Sequence, residues 1–246
     1  MIIKKYDIDK KAKLINYWQE HWYLVDDVYL PSVTSVLGMT LSKGAGFEQW
    51  LRDTGNESKI IARESAESGS KIHNAIEMLC LGNELNGEEY TVFEWEKIIN
   101  FVNWFNELNV EVIANETTVY SLTDRVAGTA DFIGVINGEI WLLDWKTGKS
   151  IHESANMQVA SYVKYWNANN KIKIQRAGVV HIGASTKTQK DLNNVGVKLT
   201  EIDIDREYDN FKHVLSLYNS LYPNRKAPNT TYPLTIKLKK GVKNET

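Results

Sequence analysis

The dipeptide Asn137-Gly138 constrains the fold of this chain more than any other feature. Runs rich in β-branched and aromatic residues flank it, over 125–136 and 139–146. A two-residue type I′ turn needs positive φ at both central positions, and asparagine and glycine tolerate this conformation best. The sequence therefore predicts an antiparallel β-hairpin whose turn lies at these two residues.

Counting outward from this turn places Asp131 directly opposite Asp144. The count also makes them a non-hydrogen-bonded pair with Cβ atoms about 4.5–5.5 Å apart, a position in which two like charges destabilise a sheet. Lys146 lies two residues beyond Asp144 and therefore projects from the same face. We expect a positive group between the acids, and carboxylate ligands of this kind suit Mg²⁺ or Mn²⁺.

Two acids and a lysine around such an ion suit the hydrolysis of phosphodiester bonds. The lysine can orient the attacking water, help to deprotonate it, or stabilise charge that develops on a phosphate. The alternative is a solvated hairpin face on which Lys146 only neutralises Asp131 and Asp144. The predicted face-to-face position of the two acids favours the catalytic interpretation, with these three residues as the catalytic set.

Three motifs in this order resemble the PD-(D/E)XK nuclease superfamily and, within it, the RecB-like exonucleases. Gly-x-x-Asp stands at 128–131, Asp-x-Lys-Thr-Gly at 144–148 and Gln-x-x-x-Tyr at 158–162. Through the last two motifs the chain is most similar to the mitochondrial genome maintenance exonucleases and related phage exonucleases. The resemblance covers roughly 31–184.

The resemblance implies an α/β fold with a restriction-endonuclease-like αβββαβ core, a mixed central sheet and an added N-terminal helical region. The hydrophobic patterns predict the same order of elements. They predict a helix at 92–108, strands at 111–120, 125–136 and 139–146, a helix at 153–169 and a strand at 175–182.

His73 is predicted to complete the metal shell of Asp131 and Asp144. Residues 69–73 resemble the Gly-x-x-x-His motif of RecB-like nucleases, in which the histidine can join the metal ligands. Without this resemblance His73 would be read as an ordinary surface or interior histidine. Glu77 lies four residues further on, hence on the same helical face, and is a weaker candidate.

Further groups are candidate ligands on the strength of the resemblance. It implies that the backbone carbonyl of Trp145, or that of Leu143, adds a ligand. Glu116, on the strand before the hairpin, is similar in position to an acid that many relatives place at the metal. The alternative for Glu116 is an exposed strand glutamate. Glu67 is also a weaker candidate.

Four residues are predicted to contact DNA. Gln158, Tyr162 and Trp166 recur every four residues and share one helical face. In the resembled families the glutamine and tyrosine help to place DNA and the active-site network. Ser32 and Thr34 belong to a Pro-Ser-Val-Thr segment that resembles the opening motif of the exonuclease families, near the DNA path. A plain helix N-cap is the alternative for this segment.

Composition limits the partners and cofactors of the chain. A net charge of −2 over 246 residues predicts that any DNA-binding surface is a local basic strip. The single cysteine, Cys80, cannot supply the four ligands of an iron–sulfur cluster.

No apolar run approaches the roughly 18 residues that span a bilayer, and the first residues resemble neither a signal nor a transit peptide. We therefore expect no membrane partner and a cytoplasmic protein that acts in a phage-infected bacterium, with a mitochondrial site less suitable.

The length suits one large domain or a core with an added subdomain. With the resemblance, we expect one nuclease domain over 1–222, with the helical region at about 35–85 and the catalytic core at about 91–184. The basic tail, 223–246, is predicted to be mobile and to add nonspecific affinity for DNA. Other segments have weaker patterns. They predict a helical stretch followed by a hairpin at Asp26-Asp27 within 10–30, two helices over 47–81 broken at 68–70, a strand at 195–204 and a closing helix at 207–221.

The predicted function is a metal-dependent DNA exonuclease that hydrolyses phosphodiester bonds at DNA ends and prefers single strands, in recombination, repair or replication. The preference for ends comes only from the resemblance. A structure-specific endonuclease is one alternative. A noncatalytic DNA-binding member of the fold is the other, but it would be expected to lack an acid or the lysine, and Asp131, Asp144 and Lys146 are all present.

Overall fold

The computed structural model describes residues 2–3, 8–17, 20–42 and 44–227. These residues form a mixed α/β fold. The strands are β1 (Ile2–Ile3), β2 (Lys13–Tyr17), β3 (Glu20–Val25), β4 (Val28–Pro31), β5 (Val110–Ser121), β6 (Val126–Ile136), β7 (Glu139–Lys146), β8 (Arg176–Ile182) and β9 (Val197–Glu201). The α-helices are α1 (Val33–Thr40), α2 (Ala45–Thr54), α3 (Glu57–Cys80), α4 (Val92–Glu107), α5 (Ser154–Asn169) and α6 (Ile204–Leu221), with a short 3-10 helix at Gly87–Glu89.

The central sheet has the strand order β1-β5-β6-β7-β8-β9 and is mixed. Strands β5, β6 and β7 are antiparallel neighbours, β8 is parallel to β7, and β9 is antiparallel to β8. Parallel neighbours need a crossover connection, and α5 provides it between β7 and β8. The helices and strands predicted between 92 and 182 are confirmed to within two residues at each end.

Apolar side chains cover both faces of this sheet. One face packs against α1, α5 and α6, through residues such as Val159 and Phe211. The other packs against α4 and the C-terminal half of α3, where Phe101, Phe132 and Trp145 form an aromatic cluster. Full burial of each such side chain stabilises the folded state by about 1.5–3 kcal/mol. The sheet is thereby fixed between two helical layers.

The predicted hairpin turn is confirmed. Asn137 has φ 51° and Gly138 has φ 90°, as a type I′ turn requires. The pairing runs from Ile136 opposite Glu139 to Phe132 opposite Leu143, in the register counted from the sequence. The ladder ends at this last pair, and continuing the same count places Asp131 opposite Asp144.

A second, three-stranded sheet precedes the helices. It has the order β2-β3-β4, and the predicted turn at Asp26-Asp27 is confirmed, with φ values of 44° and 61°. The helical pattern expected before it is wrong, because Lys13–Tyr17 is strand β2 and pairs with β3. Strand formation depends on a neighbouring strand more than on local propensity, so pairing overrides the weak helical pattern.

The expected helix break at 68–70 is also wrong. Helix α3 runs through it, and the break lies at Gly55, whose φ of 56° ends α2. A side chain at Gly69 would place its Cβ 3.0 Å from the Thr147 hydroxyl oxygen. Gly69 therefore serves close packing of α3 against the end of β7 rather than a chain break.

The predicted basic tail at 223–246 lies outside the described residues from 228 onward. Among the described helices, none is both long and apolar enough to cross a bilayer.

Candidate metal centre

Three acids lie at one level on three adjacent strands. Asp131 on β6 is followed by Phe132, which pairs with Leu143, so the register sets Asp131 opposite Asp144 on β7. On the other side, Glu116 falls between two residues of β5 that pair with Phe132 and Ala130, and so lies opposite Asp131. Residues directly opposite on neighbouring strands share a face. Glu116, Asp131 and Asp144 therefore form a row of carboxylates across the sheet.

Glu116 has a strained backbone. Its φ is 42°, in the left-handed region that L-residues other than glycine rarely adopt within a strand. The β5–β6 ladder has no pair at Glu116, although both neighbours of Glu116 are paired. Such a conformation costs about 1–3 kcal/mol and tends to occur at functional sites.

This strain allows a test. Glu116→Gly and Glu116→Ala both remove the carboxyl, but only glycine relieves the left-handed φ. We expect the glycine variant to be more stable than the alanine variant by about 1 kcal/mol, the reverse of the usual order in a strand. Chemical unfolding of the two variants in EDTA measures this difference. Equal stability, or a more stable alanine variant, would contradict strain at this residue.

Helix α3 brings His73 to the row of acids. Ligand atoms of His73, Glu116 and Asp131 all lie within 4.8 Å of one another, and His73 Nδ1 is 3.7 Å from Asp131 Oδ2. One imidazole nitrogen with two carboxylate oxygens is a donor set that Mn²⁺ accepts and that Mg²⁺ tolerates. These residues therefore fit the predicted divalent cation.

The electrostatics of Asp131 favour a cation at this position. Burial and the neighbouring Asp144 raise its pKa well above the usual range, against the opposing effect of Lys146. Its Oδ2 accepts a hydrogen bond of 2.7 Å from the Trp145 N–H, which fixes the carboxyl at the end of β7. A bound cation would offset the unfavourable burial of this carboxylate.

The pKa values of Glu116 and His73 are also shifted. Loss of hydration, followed by repulsion from Glu77 and Asp144, raises the pKa of Glu116 to about 7, although the side chain is exposed at the cleft. Burial lowers the pKa of His73, against the opposing effect of Asp144, and Lys146 also lowers it. The imidazole is therefore neutral near pH 7, which is the form that ligates metals.

Asp144 is turned toward a different set of partners. Its side chain is only 1 % exposed, forms an ion pair with Lys146 and accepts a 3.0 Å hydrogen bond from Gln158 Nε2. The group of ligand atoms around His73 does not include it. Burial alone would lower the pKa of Lys146, but Asp144 and Asp131 raise it overall. Lys146 is therefore an ammonium ion at neutral pH.

The predicted ligand at Trp145 has a partner in the protein. The Trp145 backbone forms a hydrogen bond with His73 that raises the pKa of the imidazole. Such a bond stabilises the protonated ring, so the ring donates and the Trp145 carbonyl accepts. Of the weaker acidic candidates, Glu77 lines the cleft beside His73, whereas Glu67 is exposed and pairs with Arg63.

Gln158 and Tyr162 lie beneath the carboxylates. Gln158 Nε2 donates to Asp144 and to the Tyr162 hydroxyl at 3.3 Å, and Lys146 Nζ is 3.5 Å from Gln158 Oε1. Both side chains are buried. Their contacts therefore hold the Asp144–Lys146 ion pair in place.

The glycine of the first motif makes room for this tyrosine. A Cβ on Gly128 would lie 2.2 Å from the Tyr162 ring. We expect Gly128→Ala to destabilise the fold by about 1–3 kcal/mol through overpacking. Gly148→Ala is the matched control, because the nearest atom to its added Cβ is 3.6 Å away. Denaturant unfolding of both variants measures the difference, and equal losses of stability would contradict the close approach of Tyr162.

Ser32 and Thr34 have different surroundings. Ser32 is buried, and its Oγ accepts a 2.9 Å hydrogen bond from the Ser35 N–H at the start of α1. The N-cap interpretation of Ser32 is therefore confirmed. Thr34 is exposed and lines the cleft above the acids, and its hydroxyl lies 3.0 Å from the Ser32 hydroxyl.

A cleft lies above the three candidate metal ligands His73, Glu116 and Asp131, which we call the metal cluster. It has a volume of about 540 Å³. Part of its lining comes from the second sheet, in the form of Leu14, His21 and Tyr23, which the sequence did not assign to the site. The Tyr23 hydroxyl is 2.9 Å from the Thr129 hydroxyl, two residues before Asp131. The aromatic pattern of 22–30 predicts strands, but it does not indicate which surface those strands approach.

The loop after Lys146 is anchored by two residues that the sequence also left unassigned. Lys97 on α4 donates a 2.8 Å hydrogen bond to the Thr147 carbonyl, and His181 Nε2 lies 2.7 Å from the Gly148 carbonyl oxygen. These contacts fix the chain just beyond Lys146.

Neither a scan of protein-family models nor a search of curated proteins gives a match to this chain. The sequence motifs and the geometry of the site are therefore the basis for a proposed function.

Proposed function

We propose that the protein is a metal-dependent deoxyribonuclease that hydrolyses phosphodiester bonds at DNA ends, as an exonuclease that prefers single strands. One observation carries this proposal. A row of three acids, Glu116, Asp131 and Asp144, lies beside His73, and a charged lysine is paired with the last acid. Crowded carboxylates of this kind are costly to bury, and their cost is offset when they bind a divalent cation.

The residues divide into two groups with different roles. His73, Glu116 and Asp131 would hold Mg²⁺ or Mn²⁺, and the register keeps Asp144 as a further proposed ligand beside Asp131. When bound, such an ion supplies positive charge to a phosphate oxygen. Lys146 provides a second positive charge, which orients the attacking water and stabilises charge that develops on the phosphate.

Gln158 and Tyr162 act in this proposal as positioning residues. They are largely buried and hold Asp144 and Lys146 in place, and because both also line the cleft they remain proposed DNA contacts. Thr34 remains a proposed DNA contact, because it is exposed and lines the cleft.

The order of the elements supports a restriction-endonuclease-like core. Helix α4, strands β5 to β7, helix α5 and strand β8 follow one another in the αβββαβ order of that fold. The motifs that resemble the PD-(D/E)XK superfamily lie close together, because Asp131 accepts a hydrogen bond from the backbone next to Asp144, and Asp144 accepts one from Gln158. We accordingly propose that the protein belongs to this superfamily and acts on DNA in recombination, repair or replication.

Degradation of end-labelled DNA tests the proposed function. Single strands, linear duplexes and a closed circle would each be incubated with Mg²⁺, Mn²⁺ or EDTA. We expect metal-dependent shortening of linear DNA, faster for single strands, and an intact circle. Cutting of the circle would replace the exonuclease by an endonuclease. A folded protein that cleaves none of these substrates with either metal would refute the proposal.

A further inference from the structure

The cleft above the metal cluster has two walls of different chemistry. Helix α3 forms one wall and contributes polar side chains, including Ser70, Asn74 and Glu77. The second sheet forms the other wall with Leu14, His21 and Tyr23, which we call the sheet wall. One wall therefore carries hydrogen-bonding and acidic groups, and the other offers apolar and aromatic surface.

The strand register explains how the sheet wall is assembled. Leu14 on β2 lies directly opposite Tyr23 on β3, and His21 precedes Tyr23 by two residues. Opposite residues share a face, and so do residues two apart on one strand. All three side chains therefore project from one face of the sheet, and that face lines the cleft.

The sheet wall extends from the metal cluster to the open part of the cleft. Tyr23 is buried and is fixed by its hydrogen bond to Thr129, close enough to Glu116 and Asp131 for their charges to affect its hydroxyl. Leu14 is 43 % exposed, and His21 is also exposed. A ligand that places a phosphate at the cluster would thus meet an apolar and aromatic surface on one side.

We infer that the sheet wall is a base-binding subsite, in which Leu14 and His21 contact the unpaired base of the nucleotide whose phosphate lies at the metal cluster. This inference rests on the proposed nuclease function and names its substrate as an unpaired strand. Bases stack on aromatic and apolar side chains, whereas the α3 wall contributes mainly polar side chains such as Ser70, Asn74 and Glu77. The cleft volume lies in the range of about 300–1,000 Å³ that suits small ligands, so it has room for a nucleotide unit.

A strand without bases tests this subsite. The wild-type protein would be given a short oligothymidylate and a strand of equal length built from stable abasic nucleotides, each with Mn²⁺. Both strands carry the same phosphates, so the metal cluster binds them equally. We expect kcat/KM to be roughly tenfold lower for the abasic strand, because contact with one base contributes about that factor.

Variants of the sheet wall should lose this discrimination. Leu14→Ser and His21→Ala are each expected to reduce the ratio between the two strands to about threefold or less, mainly through slower cleavage of the strand with bases. Tyr29→Ser is the matched control. Tyr29 is 40 % exposed and lies next to Leu30, the partner of Tyr23, so it projects from the opposite face of the same sheet. It should keep the wild-type ratio.

The outcomes separate the subsite from the proposed function. Wild-type and Tyr29→Ser proteins that discriminate, together with wall variants that do not, support the subsite. Equal cleavage of both strands by the wild type, or full discrimination in both wall variants, overturns the subsite and leaves the nuclease proposal standing. Thermal unfolding checks that each variant is folded. A folded wild type that cleaves neither strand overturns the nuclease proposal and the subsite with it.

Discussion

Replacing Lys146 with methionine should lower the rate of DNA cleavage by about 10²–10³-fold, the effect of removing one electrostatic group from an active site. Methionine keeps an unbranched, flexible side chain but carries no charge. Asp144 and Asp131 raise the pKa of Lys146, so the positive charge is present at neutral pH. Single-turnover cleavage of a labelled single strand with Mn²⁺ measures the loss. Lys149→Met, in the exposed stretch after Lys146, should retain wild-type activity.

Loss of Lys146 also affects stability, and the two effects need to be separated. The substitution leaves Asp144 buried without its ion-pair partner, which costs about 3–5 kcal/mol. The double variant Lys146→Met with Asp144→Asn removes that charge as well. We expect it to recover stability but not activity. Full cleavage by Lys146→Met would show that the lysine has no part in the reaction, whatever its effect on folding.

The local part of the site was predictable from the sequence. The Asn137-Gly138 turn fixes the register of β6 and β7, and that register alone sets Asp131 opposite Asp144. Turn chemistry acts over a few residues, so it can be recognised without knowing the rest of the fold. The capping role of Ser32 has the same local origin. The resemblance supplied His73 and Glu116 as candidates. The approach of His73 to Asp131 depends on how α3 packs against the sheet, and that of Glu116 depends on the irregular pairing of β5 with β6.

The remaining features depend on long-range packing and had no local signal. Glutamate has no preference for positive φ, so the strained backbone of Glu116 follows from its position between paired neighbours in the sheet. The sequence predicts a helix break at Gly69, but the role of this glycine is close contact with Thr147, a residue far away in the sequence. Leu14 reaches the cleft because β2 pairs with β3 and the resulting sheet lies beside β6.

Replacing Asp131 with asparagine should stabilise the metal-free protein by about 1–2 kcal/mol, a common gain when a strained active-site group is removed. Burial and Asp144 raise the pKa of Asp131 in the folded state. Asparagine has a similar shape, keeps an oxygen that can accept from the Trp145 N–H, and carries no charge. For a chain of this size the gain corresponds to a rise in Tm of about 2–8 °C. Thermal unfolding in EDTA measures it.

The stability gained by Asp131→Asn should increase with pH. In the unfolded chain Asp131 loses its proton near pH 3.9, whereas in the folded protein it keeps that proton to a higher pH. Above about pH 4 the folded state therefore binds more protons than the unfolded state, and the wild type loses stability as the pH rises. Asparagine does not titrate. The difference in Tm between the variant and the wild type should thus be small at pH 4 and larger at pH 8.

Metal should reverse the order of stability between these two proteins. Mn²⁺ at about a hundredfold excess over its dissociation constant stabilises a folded protein by about 2.7 kcal/mol. The wild type should gain this stability, whereas Asp131→Asn has lost a ligand from the His73 cluster and should gain little. Glu64→Gln, an exposed acid on the part of α3 outside the cleft, should respond to Mn²⁺ as the wild type does. If Mn²⁺ raises the Tm of Asp131→Asn as much as that of the wild type, the ion does not bind at Asp131, and the row of acids has no role as a metal centre.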